Sequence, residues 1–272
     1  MRVILLRLLA LSALVTLLIF FWNSALLKPF KLFVVFLHEI SHAAATLLTG
    51  GELASISIRW DESGATYAAS GKGIFFIIAI AGYIGSIIWG SMMLRASLTG
   101  RWVRTVSLTV GLTVIFFGFF PEHGTSAFSE RLLKYIISGV WGLTLIFTAF
   151  VFPRMNHIIL FFLGGLTSLY SLYDLDDFIH GDIMKTDAGI LARYLLGDSG
   201  MVIVLAWCIA IFISAIAIYI FFRQIKTALA HPEDESEPDP VNLVEWQAQN
   251  PDVEITAEML DWLKSQAGKK TL

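Results

Sequence analysis

Cysteine and charge are both scarce in this chain. Cys208 is the only cysteine among 272 residues, so the sequence can build neither a disulfide framework nor a zinc site from cysteine ligands. Charged residues make up 15% of the chain, the net charge is -3, and no basic patch with interleaved aromatic residues occurs. These absences argue against a nucleic-acid partner, and they leave histidine and carboxylate as the ligands for any metal.

Apolar residues are abundant and are grouped into long runs. They form 56% of the sequence, the mean hydropathy is +0.72, and each run has roughly the 20 residues that a helix needs to cross a bilayer. The first run resembles a signal peptide, but its length and the lack of a small-residue cleavage site before Lys28 favour a retained anchor. The pattern predicts an all-α polytopic membrane protein with about seven transmembrane helices, near 3 to 22, 31 to 49, 74 to 94, 103 to 120, 132 to 152, 155 to 175 and 201 to 222.

Polar segments interrupt or follow these runs. After the second run, ASISIRW and ATYAAS alternate around the turn-like DESG at 61 to 64, which predicts a small surface β-hairpin. An Asp-rich interval, YDLDDFIHGDIMKTDAGILARYLLGDSG, follows the sixth run. We therefore expect a transmembrane domain over residues 1 to 222, with its core at 30 to 196, and a soluble tail over 223 to 272.

The tail is acidic. Residues 224 to 272 hold ten acids against four lysines, and proline and repelling carboxylates leave little apolar surface to bury. We expect a partly disordered segment with one short helix in ITAEMLDWLKSQAG, which either solubilises the protein or docks a protein partner.

Basic residues predict the orientation in the membrane. The interval 95 to 104 contains three arginines and no acid, and basic residues after the first and last runs flank the same side of an alternating seven-span chain. Positive-inside counting then places the C-terminal tail in the cytoplasm of a cell-membrane protein. Arg2 and Arg7 favour the opposite orientation.

Two histidines and a glutamate lie inside the second run, in the sequence HEISH. Helical spacing of i and i+4 puts His38 and His42 on one face, where both can bind one metal ion, and Glu39 lies beside that face. Zinc held in this way lowers the pKa of a bound water to about 7 and polarises a carbonyl, and Glu39 then acts as the general base. The pattern predicts a Zn2+ site for peptide-bond hydrolysis. The alternatives are a chance match of a short pattern and a hydrogen-bonded polar cluster without metal.

A third protein ligand must come from elsewhere in the chain. We expect it in SLYDLDDFIH, where Asp174 ends the sixth run and reaches furthest toward a metal at mid-helix. Asp177 shares its helical face and His180 follows, so each is a possible alternative ligand or a group that hydrogen-bonds a ligand. Asp176 points away from Asp174 on a continuous helix. A helix cap at the water surface is the alternative for any of these aspartates.

The motifs together resemble the M50 site-2 protease class, in its M50B-like branch of membrane metallopeptidases. The resemblance rests on HEISH in a membrane helix, Gly50-Gly51 with the hairpin, the AGYIGS helix, and YDLDD followed by TDAGILA, and it covers about residues 30 to 196. It implies a zinc-dependent intramembrane protease with His38 and His42 as ligands, Glu39 as the catalytic residue and Asp174 at the family's aspartate ligand. The chain lacks an NxxPxxxLDG-type motif and an inserted PDZ module.

Three functions remain open from the sequence. The first is cleavage of membrane-protein substrates, or of transmembrane helices, within the lipid bilayer, with the hairpin holding an extended substrate by strand addition. The second is a metal or solute transporter, although most of the other runs are almost free of charge. The third is a catalytically inactive scaffold that keeps its metal site.

Overall fold

The computed structural model describes most of the chain between residues 24 and 230. The described residues are 12, 16, 20, 21, 24 to 69, 72 to 121, 128 to 180 and 183 to 230, with the main chain alone for 171 to 180 and 227 to 230. Most of the predicted first span and the predicted tail from 231 onward lie outside this description.

Seven α-helices and one two-stranded antiparallel sheet make up the described part. The helices are α1 (Lys28–Leu48), α2 (Phe75–Thr99), α3 (Val103–Gly118), α4 (Phe128–Val151), α5 (Pro153–His180), α6 (Asp187–Leu196) and α7 (Val202–Ala230). The strands are β1 (Leu53–Ile58) and β2 (Gly64–Ala68). Both the helical fold and the predicted hairpin are confirmed.

Six helices coincide with apolar runs that the sequence predicts as spans. By length and composition, 4 of the described helices can cross a membrane, namely α1, α2, α4 and α7. Helix α3 is apolar but has 16 residues, and α5 is a helix of 28 residues. The fold is that of a membrane protein, and the number of crossings stays a prediction.

The Asp-rich interval contains two helices. Helix α5 extends into the start of this interval and ends at His180. A short 3-10 turn at Ile183–Lys185 then leads into α6. Thr186 caps α6, because its hydroxyl accepts a hydrogen bond from the Gly189 N–H at 3.2 Å. A β-carbon at Gly189 would overlap the Ile183 carbonyl, so this tight reversal requires glycine there. The sequence prediction did not separate α6 from the surrounding polar interval.

Helix α1 is enclosed by the other elements. In its apolar window 83% of the residues are buried, against 50% for α2 and 28% for α7. Phe33, Phe36, Leu37 and Ile40 are fully buried against residues of α2 to α5 and the hairpin. Helix α1 is therefore the core helix of the bundle, whereas the more apolar α7 exposes Ile211, Phe212 and Phe222 in the manner of a lipid-facing helix.

The hairpin packs one of its faces on α1. Ile56 pairs with Thr66 and Ile58 with Gly64, so these four residues share a face. Glu62 in the turn has a φ of 71°, and its carboxylate forms an ion pair with Lys31 of α1. The turn of the hairpin is thereby tied to the first turn of the helix that carries HEISH.

Candidate metal centre

The two histidines of HEISH project from one face of α1, as their spacing predicts. Pro29 lies in the first turn, where proline is tolerated, and α1 runs without a break to Leu48. His38 and His42 are each 6% exposed. Their Nε2 atoms lie 3.1 Å apart, so both rings point at the same small volume.

A carboxylate from a part of the sequence distant from HEISH reaches the same volume. Asp187 Oδ2 lies 2.8 Å from His38 Nε2 and 2.9 Å from His42 Nε2. Asp187 is the first residue of α6, and the buried side chains of Ala188, Leu191 and Ala192 fix that helix against the protein. The ligand atoms of His38, His42 and Asp187 all lie within 4.8 Å of one another.

Contacts made by the Nδ1 atoms of the two histidines leave their Nε2 atoms to face the centre. His42 Nδ1 lies 2.7 Å from the Ile78 carbonyl, which can only accept, so Nδ1 carries the hydrogen and Nε2 has a lone pair when the ring is neutral. His38 Nδ1 lies 3.4 Å from the Ser86 hydroxyl, which can accept in the same way. Two imidazole lone pairs and a carboxylate oxygen then converge, and such acceptors repel one another unless a cation lies among them.

The chemistry of this donor set fits a divalent metal. Two neutral imidazoles and one carboxylate form the ligand set of many catalytic zinc sites, and ligating histidines commonly donate their second N–H to a carbonyl or similar group. Gly82 supplies the space, because a β-carbon at this position would overlap the Nε2 atoms of both His38 and His42. The edges of Tyr83 and Tyr170 pack around His38, with ring centroids at 5.4 and 5.5 Å.

The glutamate of HEISH lies beneath the hairpin. Glu39 is 6% exposed, and the Thr66 hydroxyl donates to its Oε2 at 2.7 Å. The same hydroxyl lies 3.0 Å from the Glu39 main-chain oxygen. A β-carbon on Gly64 would come within 2.5 Å of Glu39 Oε1, so a side chain at that position would push the carboxylate aside. Thr66 and Gly64 therefore hold Glu39 in one position beside the histidines.

The sequence prediction of the third ligand remains open. Asp174, Asp177 and His180 belong to α5, and their side chains are not among those described. Their predicted roles stay predictions. Asp187 was not selected as a candidate, although the sequence carries a signal: Thr186-Asp187 is an N-cap followed by an acidic first turn, just before an apolar helical segment.

The geometry of the site defines a class of protein. Two histidines at i and i+4, a carboxylate from a second helix and a glutamate next to the first histidine form a metallopeptidase-type centre inside an apolar helix bundle.

Comparison with known families agrees with this class. A family model described as Peptidase M50B-like matches residues 11–222. The chain therefore belongs to the Peptidase M50B-like family, and it is a membrane protein of the site-2 metallopeptidase type. No curated protein and no solved structure matches the chain.

Proposed function

We propose that this protein is a zinc-dependent intramembrane protease in which His38, His42 and Asp187 bind the metal and Glu39 is the general base. The convergence of two imidazole nitrogens and one carboxylate oxygen, 2.8 to 3.1 Å apart and beside Glu39, carries the proposal. When bound there, zinc supplies an acidified water and a polarised scissile carbonyl. The substrates are membrane proteins, because the whole arrangement lies in an apolar bundle of the M50B-like family.

The chain itself moves the protons. Glu39 accepts a proton from the attacking water as the oxygen bonds to the carbonyl carbon, and it then donates that proton to the departing amide nitrogen. The Thr66 hydroxyl binds Oε2, so Oε1 is the oxygen that we assign to proton transfer with the water. Peptide-bond cleavage thus requires one group to act as base and then as acid.

The outer edge of β2 offers a place for an extended substrate. The Arg59 N–H donates to the Ser63 carbonyl at 2.9 Å, and hydrogen-bonded pairs alternate along an antiparallel ladder. The Thr66 main-chain groups accordingly point away from β1, and in the described part of the chain the sheet ends at β2. A substrate strand added at this edge lies next to Glu39.

Asp187 is preferred to Asp174 as the third ligand because its carboxylate contacts both histidines. Tyr170 of α5 packs against His38, and Asp174 follows Tyr170 by four residues, so the main chain at Asp174 lies about one helical turn from that contact. Helix α6 folds back beside α2 and carries its first residue to the level of the histidines.

The proposal is tested with Glu39→Gln in the purified full-length protein. The probe is a tagged reporter with one transmembrane helix that contains a helix-breaking Gly-Pro step. We expect zinc to remain at wild-type content and cleavage to fall about 100- to 10,000-fold, because the amide cannot take the proton. Undiminished cleavage by this variant contradicts the mechanism. A wild-type protein that holds zinc and cleaves no reporter supports the scaffold or transport function instead.

The membrane orientation and the role of the tail are further parts of the proposal, and the catalytic mechanism does not depend on them. The cytoplasmic position of the C-terminal tail follows from the positive-inside count, and its acidic composition suits either a solubilising segment or one that docks a protein partner. Protease protection of a C-terminal tag in sealed vesicles tests the orientation.

A further inference from the structure

A buried lysine outside the metal centre holds the hairpin from its other edge. Lys134 of α4 is 0% exposed, and its amino group donates to the Ile56 carbonyl at 3.0 Å and to the Phe120 carbonyl at 2.6 Å. The Ile56 N–H donates to the Pro121 carbonyl at 3.1 Å. Both main-chain groups of Ile56 are thus bound by α4 and the segment that precedes it.

Ile56 lies one strand away from the glutamate. It pairs across the sheet with Thr66, and the Thr66 hydroxyl donates to Glu39 Oε2. The contacts form a continuous chain from Lys134 through Ile56 and Thr66 to Glu39. A buried lysine in an apolar bundle is costly unless its donors are used, and here one N–H is used on the strand that positions the site and another on the Phe120 carbonyl.

The same contacts decide which edge of the hairpin is free. Lys134 and Pro121 occupy the edge of β1 at Ile56, so an added strand cannot pair there. In the described part of the chain no third strand pairs with the edge of β2 at Thr66, so a substrate strand can pair there, on the side where the hairpin contacts Glu39.

We propose that Lys134 is a positioning residue of the peptidase: it clamps β1, and through Thr66 it fixes both the Glu39 carboxylate and the strand edge offered to the substrate. The reaction-related part of this proposal rests on the proposed function. Lys134 acts through the hairpin and touches neither the metal nor the substrate.

The test compares Lys134→Met with Thr66→Val, the double variant and Ser107→Ala. Lys134→Met keeps the aliphatic stem and removes the donors, and Thr66→Val keeps the branched shape and removes the hydroxyl. Ser107→Ala is the matched control: its buried hydroxyl lies 2.9 Å from the Leu145 carbonyl and 2.7 Å from Asn156 Oδ1, in a network of α3, α4 and α5. All variants are full-length proteins in detergent.

Three quantities are measured: zinc content, hydrogen exchange of the amides at 53 to 68, and kcat and KM for the tagged single-helix reporter. We expect Lys134→Met to keep its zinc, to lose protection in both strands, and to lose about 10- to 100-fold in kcat/KM through misplacement of the site. In the Thr66→Val background the lysine change should cost less than in the wild type, because the two residues act on one path. Ser107→Ala should leave exchange at 53 to 68 unchanged.

Other outcomes overturn the proposal. Three results would each rule out the clamp. One is unchanged hydrogen exchange of the hairpin in Lys134→Met. The others are a loss of kcat/KM in the double variant that equals the product of the two single losses, and a loss of activity and hairpin protection in Ser107→Ala that equals the loss in Lys134→Met. If Lys134→Met does not fold, Lys134→Gln, which retains two N–H donors, replaces it, and its exchange should fall between wild type and unprotected. If the zinc-loaded wild type cleaves no reporter, the proposed function fails, and hairpin exchange alone then decides whether Lys134 clamps β1.

Discussion

The two carboxylates of the centre reach it in different ways. Glu39 lies in a helix of 21 residues, next to one histidine and three residues from the other, so local helix geometry alone positions it. Asp187 lies 149 residues from His38, in a helix of 10 residues, and only the packing of α6 brings it to the histidines. A short motif therefore reveals the first carboxylate, whereas the second is visible only after folding.

The largest effect should come from changing the two histidines, whose positions are set by local helix geometry. Changing both His38 and His42 to Ala removes two of three proposed ligands, and we expect zinc to fall from about one ion per chain to none. Metal analysis of purified protein, with circular dichroism to check the helices, measures this. Stoichiometric zinc in the double variant would place the metal elsewhere.

The next test sets the two candidate third ligands against each other. Asp187→Ala should weaken zinc binding by more than about 100-fold, which exceeds the usual cost of losing an outer hydrogen-bonding group. Asp174→Ala, Asp177→Ala and His180→Ala should keep zinc near the wild-type level. Competition with a chelator of known affinity gives the four values.

The reverse ranking would overturn the Asp187 assignment. Normal zinc in Asp187→Ala, together with loss in Asp174→Ala, would restore the ligand that the sequence predicts. It would also show that the carboxylate of α6 contacts the histidines only in the absence of metal.

A comparison of Gly82 with Gly139 tests whether the centre requires the space that is left by a missing side chain. Gly82→Ala puts a methyl group against the Nε2 atoms of both histidines, so zinc affinity should fall about 10- to 100-fold, a range typical of disturbed metal surroundings. Gly139 is also helical, but an added β-carbon meets nothing within 4 Å, so Gly139→Ala serves as the control. We expect Gly139→Ala to bind zinc normally and to be slightly more stable, since alanine favours a helix by about 1 kcal/mol over glycine. Equal zinc affinities in the two variants would contradict the geometry.

The sequence patterns predicted those parts of the protein whose structure is determined by short-range geometry. Six apolar runs became helices, the alternation around DESG became the hairpin, and the HEISH spacing put both imidazoles on one face. The boundaries differ by a few residues, since helix ends depend on caps and neighbours. The largest difference is at the end of the seventh run, where α7 continues to Ala230 and the predicted span ends at 222.

Contacts between distant segments could not be predicted in the same way. Periodicity does not say that α6 turns back to the histidines, because that depends on the close approach of Gly189 to the Ile183 carbonyl. The bond from Thr66 to Glu39 spans 27 residues and depends on strand register. Composition pointed to SLYDLDDFIH as the source of a ligand, and it gave no reason to consider Asp187 in the next helix.

The smallest expected effect concerns Ser86, which contacts the His38 ring at the nitrogen that does not face the centre. The Ser86 hydroxyl lies 3.4 Å from His38 Nδ1, a longer contact than the 2.7 Å between His42 Nδ1 and the Ile78 carbonyl. Ser86→Ala should therefore weaken zinc binding by about 10-fold, at the low end for such partners, and leave Glu39-dependent proton transfer intact. Ser91 of the same helix is the control, because its buried hydroxyl has no hydrogen-bond partner in the described structure. Ser91→Ala should not change zinc affinity, and chelator competition measures both variants. An equal effect in the two would show that α2 packing, rather than the contact with Nδ1, orients His38.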